Sequence, residues 1–186
     1  ALDASTDKSA LLKPAPGAKK PEKRLGAKRN AGEAVRQLKE QYEDCEILSF
    51  DRLRLHGYLC LQREPSKKWV ILVHGYDDSG LWFGREALAF YQAGFNLLLP
   101  DARGHGKSQG TYVGMGWHDR LDIKKWICWL IKQYPESEIV LYGVSMGAAS
   151  VMMYCMLLLA MPARIPRTKM MAITGTSQPP SRNKDA

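Results

Sequence analysis

The stretch Ile139-Val140-Leu141-Tyr142-Gly143-Val144-Ser145-Met146-Gly147 decides the fold. A short apolar run ends at a G-x-S-x-G motif, and a second apolar run, Ala148 to Met161, follows at once. That is a strand, a turn and a helix, with the serine on the turn. A nucleophilic serine must stand clear of a sheet edge on a reversal so tight that its neighbours tolerate almost no side chain. Glycine at Gly143 and Gly147 meets that demand.

Two further strand ends lie upstream. Lys68-Trp69-Val70-Ile71-Leu72-Val73 has the pattern of a buried strand and runs into His74-Gly75-Tyr76. Phe95-Asn96-Leu97-Leu98-Leu99-Pro100 runs into Asp101-Ala102-Arg103-Gly104-His105-Gly106-Lys107-Ser108. In this order and spacing the three strand ends resemble the α/β-hydrolase family, over about residues 46–153. The segment from Asp101 to Asp122, with Gly110, Tyr112, Gly114, Gly116, Trp117, His118, Asp119 and Arg120, is most similar to a bacterial branch of serine aminopeptidase-like and general hydrolases. The resemblance implies an α/β fold: a mostly parallel sheet with flanking helices. It implies cleavage of an ester or of an amide or peptide bond in a small-molecule substrate, through an acyl-enzyme at Ser145, with no cofactor or metal. The oxyanion donors it implies are the backbone N–H groups of Tyr76 and Met146, whose side chains line the pocket mouth. His74 and Gly75 shape the donor loop, and His105 shapes its own.

The same resemblance exposes a gap. A serine hydroxyl needs a histidine base and an orienting acid. In this family they follow the serine in the chain. Here His56, His74, His105 and His118 all precede Ser145, and Asp185 is the only later acid. The pattern stops after Val151-Met152-Met153 and gives way to a basic end punctuated by Pro162, Pro166, Pro179 and Pro180. The expectation is the N-terminal part of the fold only, truncated after the helix that follows Ser145, and a chain lacking the acid and base of a triad.

The rest of the chain reads around this core. Residues 1–40 form a basic, Ala-, Lys- and Pro-rich segment expected to be disordered, although 31–44 has the makings of a short polar helix. Residues 41–161 form the partial hydrolase core, and 162–186 a basic irregular tail. Glu46 to Phe50 reads as a strand. Leu53, Leu55, Leu59 and Leu61 alternate as a half-buried second strand. A helix is expected from about Gly84 to Ala93, capped by Gly94. Ile123, Trp126, Ile127, Leu130, Ile131 and Tyr134 fall at helical spacing, and Pro135 ends that helix. Residues 169–174 suggest a weak sixth strand. Without it, strand 138–142 becomes a sheet edge and the chain is expected to self-associate through it.

Composition narrows the function classes. The formal net charge is +8. Residues 1–30 carry +5 and 162–186 carry +4, leaving −1 for 31–161. The charge sits on the tails, so nucleic acid is not an expected partner. Gly106-Lys107-Ser108 ends like a phosphate-binding loop, but Asp101 stands where that motif needs its first glycine. Cys45, Cys60, Cys128 and Cys155 form no C-x-x-C pair and read as small buried side chains in a reducing compartment. No apolar run reaches the ~18 residues of a membrane span, and no signal peptide is visible. The chain as it stands favours the cytoplasm. A segment ahead of Ala1 would allow a membrane-anchored or secreted form.

Overall fold

The computed structural model describes residues 32–159 and 172–175. Within them the chain forms α1 (32–39), β1 (Glu43–Leu48), β2 (Arg54–Cys60), β3 (Lys68–Val73), α2 (Arg85–Gln92), β4 (Asn96–Pro100), α3 (Asp119–Gln133), β5 (Glu138–Val144), α4 (Met146–Leu159) and β6 (Ala172–Gly175). The strands make one sheet in the order β1-β2-β4-β3-β5-β6. The β1–β2 and β2–β4 pairings are antiparallel. The β3–β4, β3–β5 and β5–β6 pairings are parallel. Parallel neighbours require crossovers, and helices supply them.

Side-chain alternation divides the core. Trp69, Ile71 and Val73 of β3 meet Ile123, Trp126 and Ile127 of α3 and Val151 and Tyr154 of α4 on one face. Val70 and Leu72 point the other way and join Leu38 of α1 and Ala87 of α2. With both faces covered, β3 and β4 read as continuous apolar runs. Each such side chain contributes about 1.5–3 kcal/mol on burial.

The expected architecture is present, with differences. Strand β1 begins at Glu43 and ends at Leu48, because its register against β2 runs from Glu43↔Leu59 to Leu48↔Arg54. Strand β2 is not half-buried: every residue from Leu55 to Cys60 is buried, since β1 and β4 flank it and both faces are covered. Helix α2 ends as expected, with Gly94 at φ +84. The folded body reaches back into the segment assigned to disorder. Leu38 of α1 is 2% exposed, and Lys39 Nζ donates to the Leu81 carbonyl. Residues 1–31 lie outside the described residues, as does nearly all of the 162–186 tail.

At the end of the sheet the weak sixth strand suggested over 169–174 is present, and the expected stop after the serine helix is not. Strand β6 pairs with β5 from Leu141↔Ala172 to Val144↔Gly175. The fold therefore does not stop at α4, and β5 is an interior strand, not an edge.

The cysteines also differ from expectation. All four are free, but only Cys60 is buried, and Cys128 is exposed. No helix among the described residues is long and apolar enough to cross a membrane.

Candidate active site

Ser145 is the single residue between β5 and α4. It is exposed and holds φ +53, a left-handed conformation that costs a non-glycine residue about 1–2 kcal/mol. Two glycines without room for a side chain flank it. A methyl on Gly143 would stand 2.5 Å from the Gly147 carbonyl oxygen. A methyl on Gly147 would overlap the Val73 carbonyl and stand 2.5 Å from that of His74. The first turn of α4 thus lies directly on the end of β3, and neither glycine has room for a side chain.

The loop after β3 closes on the same point. A methyl on Gly75 would stand 3.4 Å from Ser145 Cβ, an ordinary contact distance. His74 is fully buried and fixes this loop. The Ala102 N–H donates to His74 Nε2 at 2.9 Å, so the ring proton sits on Nδ1, which donates to the Gly75 carbonyl at 2.7 Å. Burial lowers the pKa of the ring and keeps it neutral. Tyr76 is exposed and meets the His105 ring edge-on at 6.1 Å. Its N–H makes no hydrogen bond to another described residue. Met146 opens α4, where first-turn N–H groups have no helical partner. Its side chain is buried. The structure therefore gathers Ser145, Gly143, Gly147, Gly75, Tyr76 and Met146 at one end of the parallel strands, with His74 directly beneath.

No histidine ring is hydrogen-bonded to the Ser145 hydroxyl among the described residues. His74 has both nitrogens engaged. His105 Nδ1 donates to the Arg103 carbonyl at 3.0 Å. His56 lies between Asp101 and Asp44, at 3.0 and 2.9 Å. His118 stacks on Phe50 at 5.9 Å and meets the Tyr112 edge at 5.5 Å.

Two buried charges hold the loop after β4, and their roles were not visible in the sequence. Asp101 accepts the N–H groups of Gly80 and Lys107, joining the loops after β3 and β4. Arg103 is fully buried and uses all five guanidinium donors, on Asp122, Asp51 and the Tyr112 hydroxyl. Burial opposes its charge, but the two carboxylates more than offset this and raise its pKa. The guanidinium in turn holds Asp51 below its ordinary pKa. Only the motif letters hinted at this clamp. Lys107 and Ser108 are also committed, to Asp44 and to the Asp101 carbonyl, which leaves no phosphate cradle there. Among the described residues no three His, Cys, Asp or Glu side chains converge as a metal site.

The comparisons agree with this geometry. The chain is 30% identical over 115 residues to protein bem46 of Schizosaccharomyces pombe, covering 59% of this chain and 38% of that one. It is 38% identical over 52 residues to esterase YjfP of Escherichia coli, covering 28% and 21%. The solved structure of the Pyrococcus furiosus esterase Pf2001 is similar with a TM-score of 0.57 and 37% identity, covering 63% of this chain and 47% of that one. The chain spans less than half the length of each of these relatives. The family model described as serine aminopeptidase, S33, matches residues 64–175, more than half of the chain. The chain belongs to that family, with the fold of the α/β hydrolases.

Proposed function

We propose that this chain carries the nucleophile and oxyanion half of a serine hydrolase acting on ester or amide bonds. Ser145 Oγ bonds to the carbonyl carbon as its proton passes to a base. The carbonyl oxygen, now an oxyanion, takes hydrogen bonds from the N–H groups of Met146 and Tyr76. Collapse expels the alcohol or amine and leaves an acyl-enzyme, which water resolves. The observation that carries this reading is the exposed Ser145 at φ +53, between two glycines that admit no side chain. Strain of this kind persists at functional sites. Family membership and the esterases among the relatives support the reaction class.

A second reading is favoured by the histidines. None of the four rings is hydrogen-bonded to Ser145 among the described residues, and His56 and His74 have both nitrogens engaged elsewhere. On that reading the chain is a catalytically incompetent fragment that holds the elbow but turns nothing over. One experiment separates the two. Hydrolysis of p-nitrophenyl acetate and labelling by a fluorophosphonate are measured for the chain and for Ser145→Ala. The expected result is turnover no higher than the variant's. Stoichiometric labelling lost in Ser145→Ala, together with turnover above that variant, shows that a base does act and overturns the incompetent reading. Labelling that persists in Ser145→Ala removes Ser145 as the nucleophile.

A further inference from the structure

We propose that Asp78 sets the charge preference of the Ser145 site, favouring reactants that carry a cationic group beside the reacting centre over anionic ones. This rests on Ser145 being the nucleophile.

The placement follows from the loop after β3. Asp77 holds φ +61, a left-handed residue that folds the loop back on itself. The returning chain brings Asp78 beside Gly75. The position a Gly75 methyl would occupy is 3.6 Å from Asp78 Oδ2 and 3.4 Å from Ser145 Cβ. Asp78 Oδ2 and Ser145 Cβ thus flank the same missing side chain, no more than about 7 Å apart. The Asp78 charge also reaches the buried His74 ring, whose pKa it raises against the larger lowering effect of burial.

Asp78 differs from Asp101, Asp44, Asp51 and Asp122, and from its neighbour Asp77 in being half-buried. Asp101 is bonded to His56 and two backbone N–H groups, Asp44 to Lys107, and Asp51 and Asp122 to Arg103. Asp78 is half-buried and makes no hydrogen bond or ion pair with a described residue. Its negative charge therefore acts on whatever occupies the site. Negative charge develops on the oxygen of the tetrahedral species, and an unpaired carboxylate nearby works against it. A cationic group on the reactant neutralises that repulsion and gains an attraction. An anionic group adds a second repulsion. Specificity here comes as much from what the carboxylate rejects as from what it attracts.

Arylboronic acids test this without turnover. Ser145 Oγ adds to boron, its proton leaves to buffer, and the adduct is a tetrahedral anion at the position of the reacting carbon. Adduct affinity is measured by boron-11 NMR for phenylboronic acids bearing an aminomethyl group, no charged group, or a carboxyl group. At low salt the full chain is expected to bind the aminomethyl probe about tenfold more tightly than the carboxyl probe, the ratio shrinking as salt is added. Asp78→Asn is expected to bring that ratio close to one, Asp78→Glu to keep it, and Asp77→Asn, which removes the same charge one residue away, to keep it as well. A ratio unchanged in Asp78→Asn, or lowered equally by Asp77→Asn, overturns the assignment. Ser145→Ala separates the two levels of the argument. Adducts lost in Ser145→Ala but with no dependence on Asp78 refute only the role of Asp78. Adducts that survive Ser145→Ala refute the nucleophile, and this inference with it.

Discussion

Gly147 and Gly75 both border Ser145 and meet opposite steric conditions. A Gly147 methyl has backbone carbonyls of β3 in its way, and neither can move without breaking the sheet. Gly147→Ala is expected to cost about 3 kcal/mol or more, enough to abolish a cooperative melt in a marginally stable chain. A Gly75 methyl makes ordinary contacts, so Gly75→Ala is expected to fold with stability within about 1 kcal/mol of the parent. It would lose boronate binding instead, because the methyl fills the space beside Ser145. Thermal melts of the two variants check the contrast, and a stable Gly147→Ala would contradict it. His74 gives a second expectation at this scale. Its pKa in the fold lies below the value near 6.5 of the unfolded chain. The unfolded chain therefore binds more protons as pH falls below about 6.5, and stability falls with it. The contribution is whole above that value and is lost as pH drops through the folded pKa. Calorimetry between pH 7.5 and 5 should show a smaller pH dependence of Tm in His74→Gln than in the parent, and equal slopes would refute it. Ser145 and its glycines were legible in the sequence because their steric demand is settled within five residues. Asp101 and Arg103 were not, because their roles depend on partners brought together by folding, and the placement of Asp78 beside Gly75 depends on how the loop after β3 folds. Arg103 and Asp51, for example, are 52 residues apart.

At the scale of elements, strongly patterned segments were legible and pairing was not. Strand β3 runs over the same six residues that its apolar pattern marks, and α3 buries Ile123, Trp126, Ile127 and Leu130 at the spacing that announced it. Strand β1 is displaced toward the N-terminus because the partner strand, not its own sequence, fixes its register. The four residues of β6 carry only the weak strand pattern read over 169–174, yet they determine whether β5 has a free edge. Ile173 stands opposite Tyr142 in the parallel ladder. Proline there removes an N–H and cannot sit in a paired strand without distorting it. Ile173→Pro is expected to lower the melting temperature and to produce oligomers in light scattering, as the freed β5 edge recruits another chain. Met152, Met156 and Leu159 lie exposed at i, i+4 and i+7 on α4, and their apolar surface adds to that tendency. A monodisperse variant with an unchanged melt would show that β5 does not depend on β6 for cover.

Across the whole molecule, positive charge is concentrated at the two ends of the chain. The net +8 resolves into +5 over residues 1–30, +4 over 162–186 and −1 over 31–161. Attraction to polyanions is therefore expected of the two ends of the chain, and for residues 1–30 it is expected to be separable from stability. Deleting residues 1–30 leaves a formal charge of about +3 and is expected to shift elution from a heparin column to markedly lower salt, since each lost cation weakens the salt-dependent attraction. The same deletion is expected to leave the melt unchanged, because it keeps α1 whole, with buried Leu38 and the Lys39 bond to Leu81 in place. Extending the deletion through residue 40 should behave differently. It removes Leu38, which is 2% exposed among the side chains of β2, β3 and β4, and it removes the Lys39 bond to the Leu81 carbonyl. Removing Leu38 alone is expected to cost about 2–5 kcal/mol, a drop visible in any thermal scan. If the shorter deletion lowers the melt as much as the longer one, residues 1–30 pack on the body and the separation of charge from fold fails. If neither deletion changes it, α1 is an appendage and the core begins at β1.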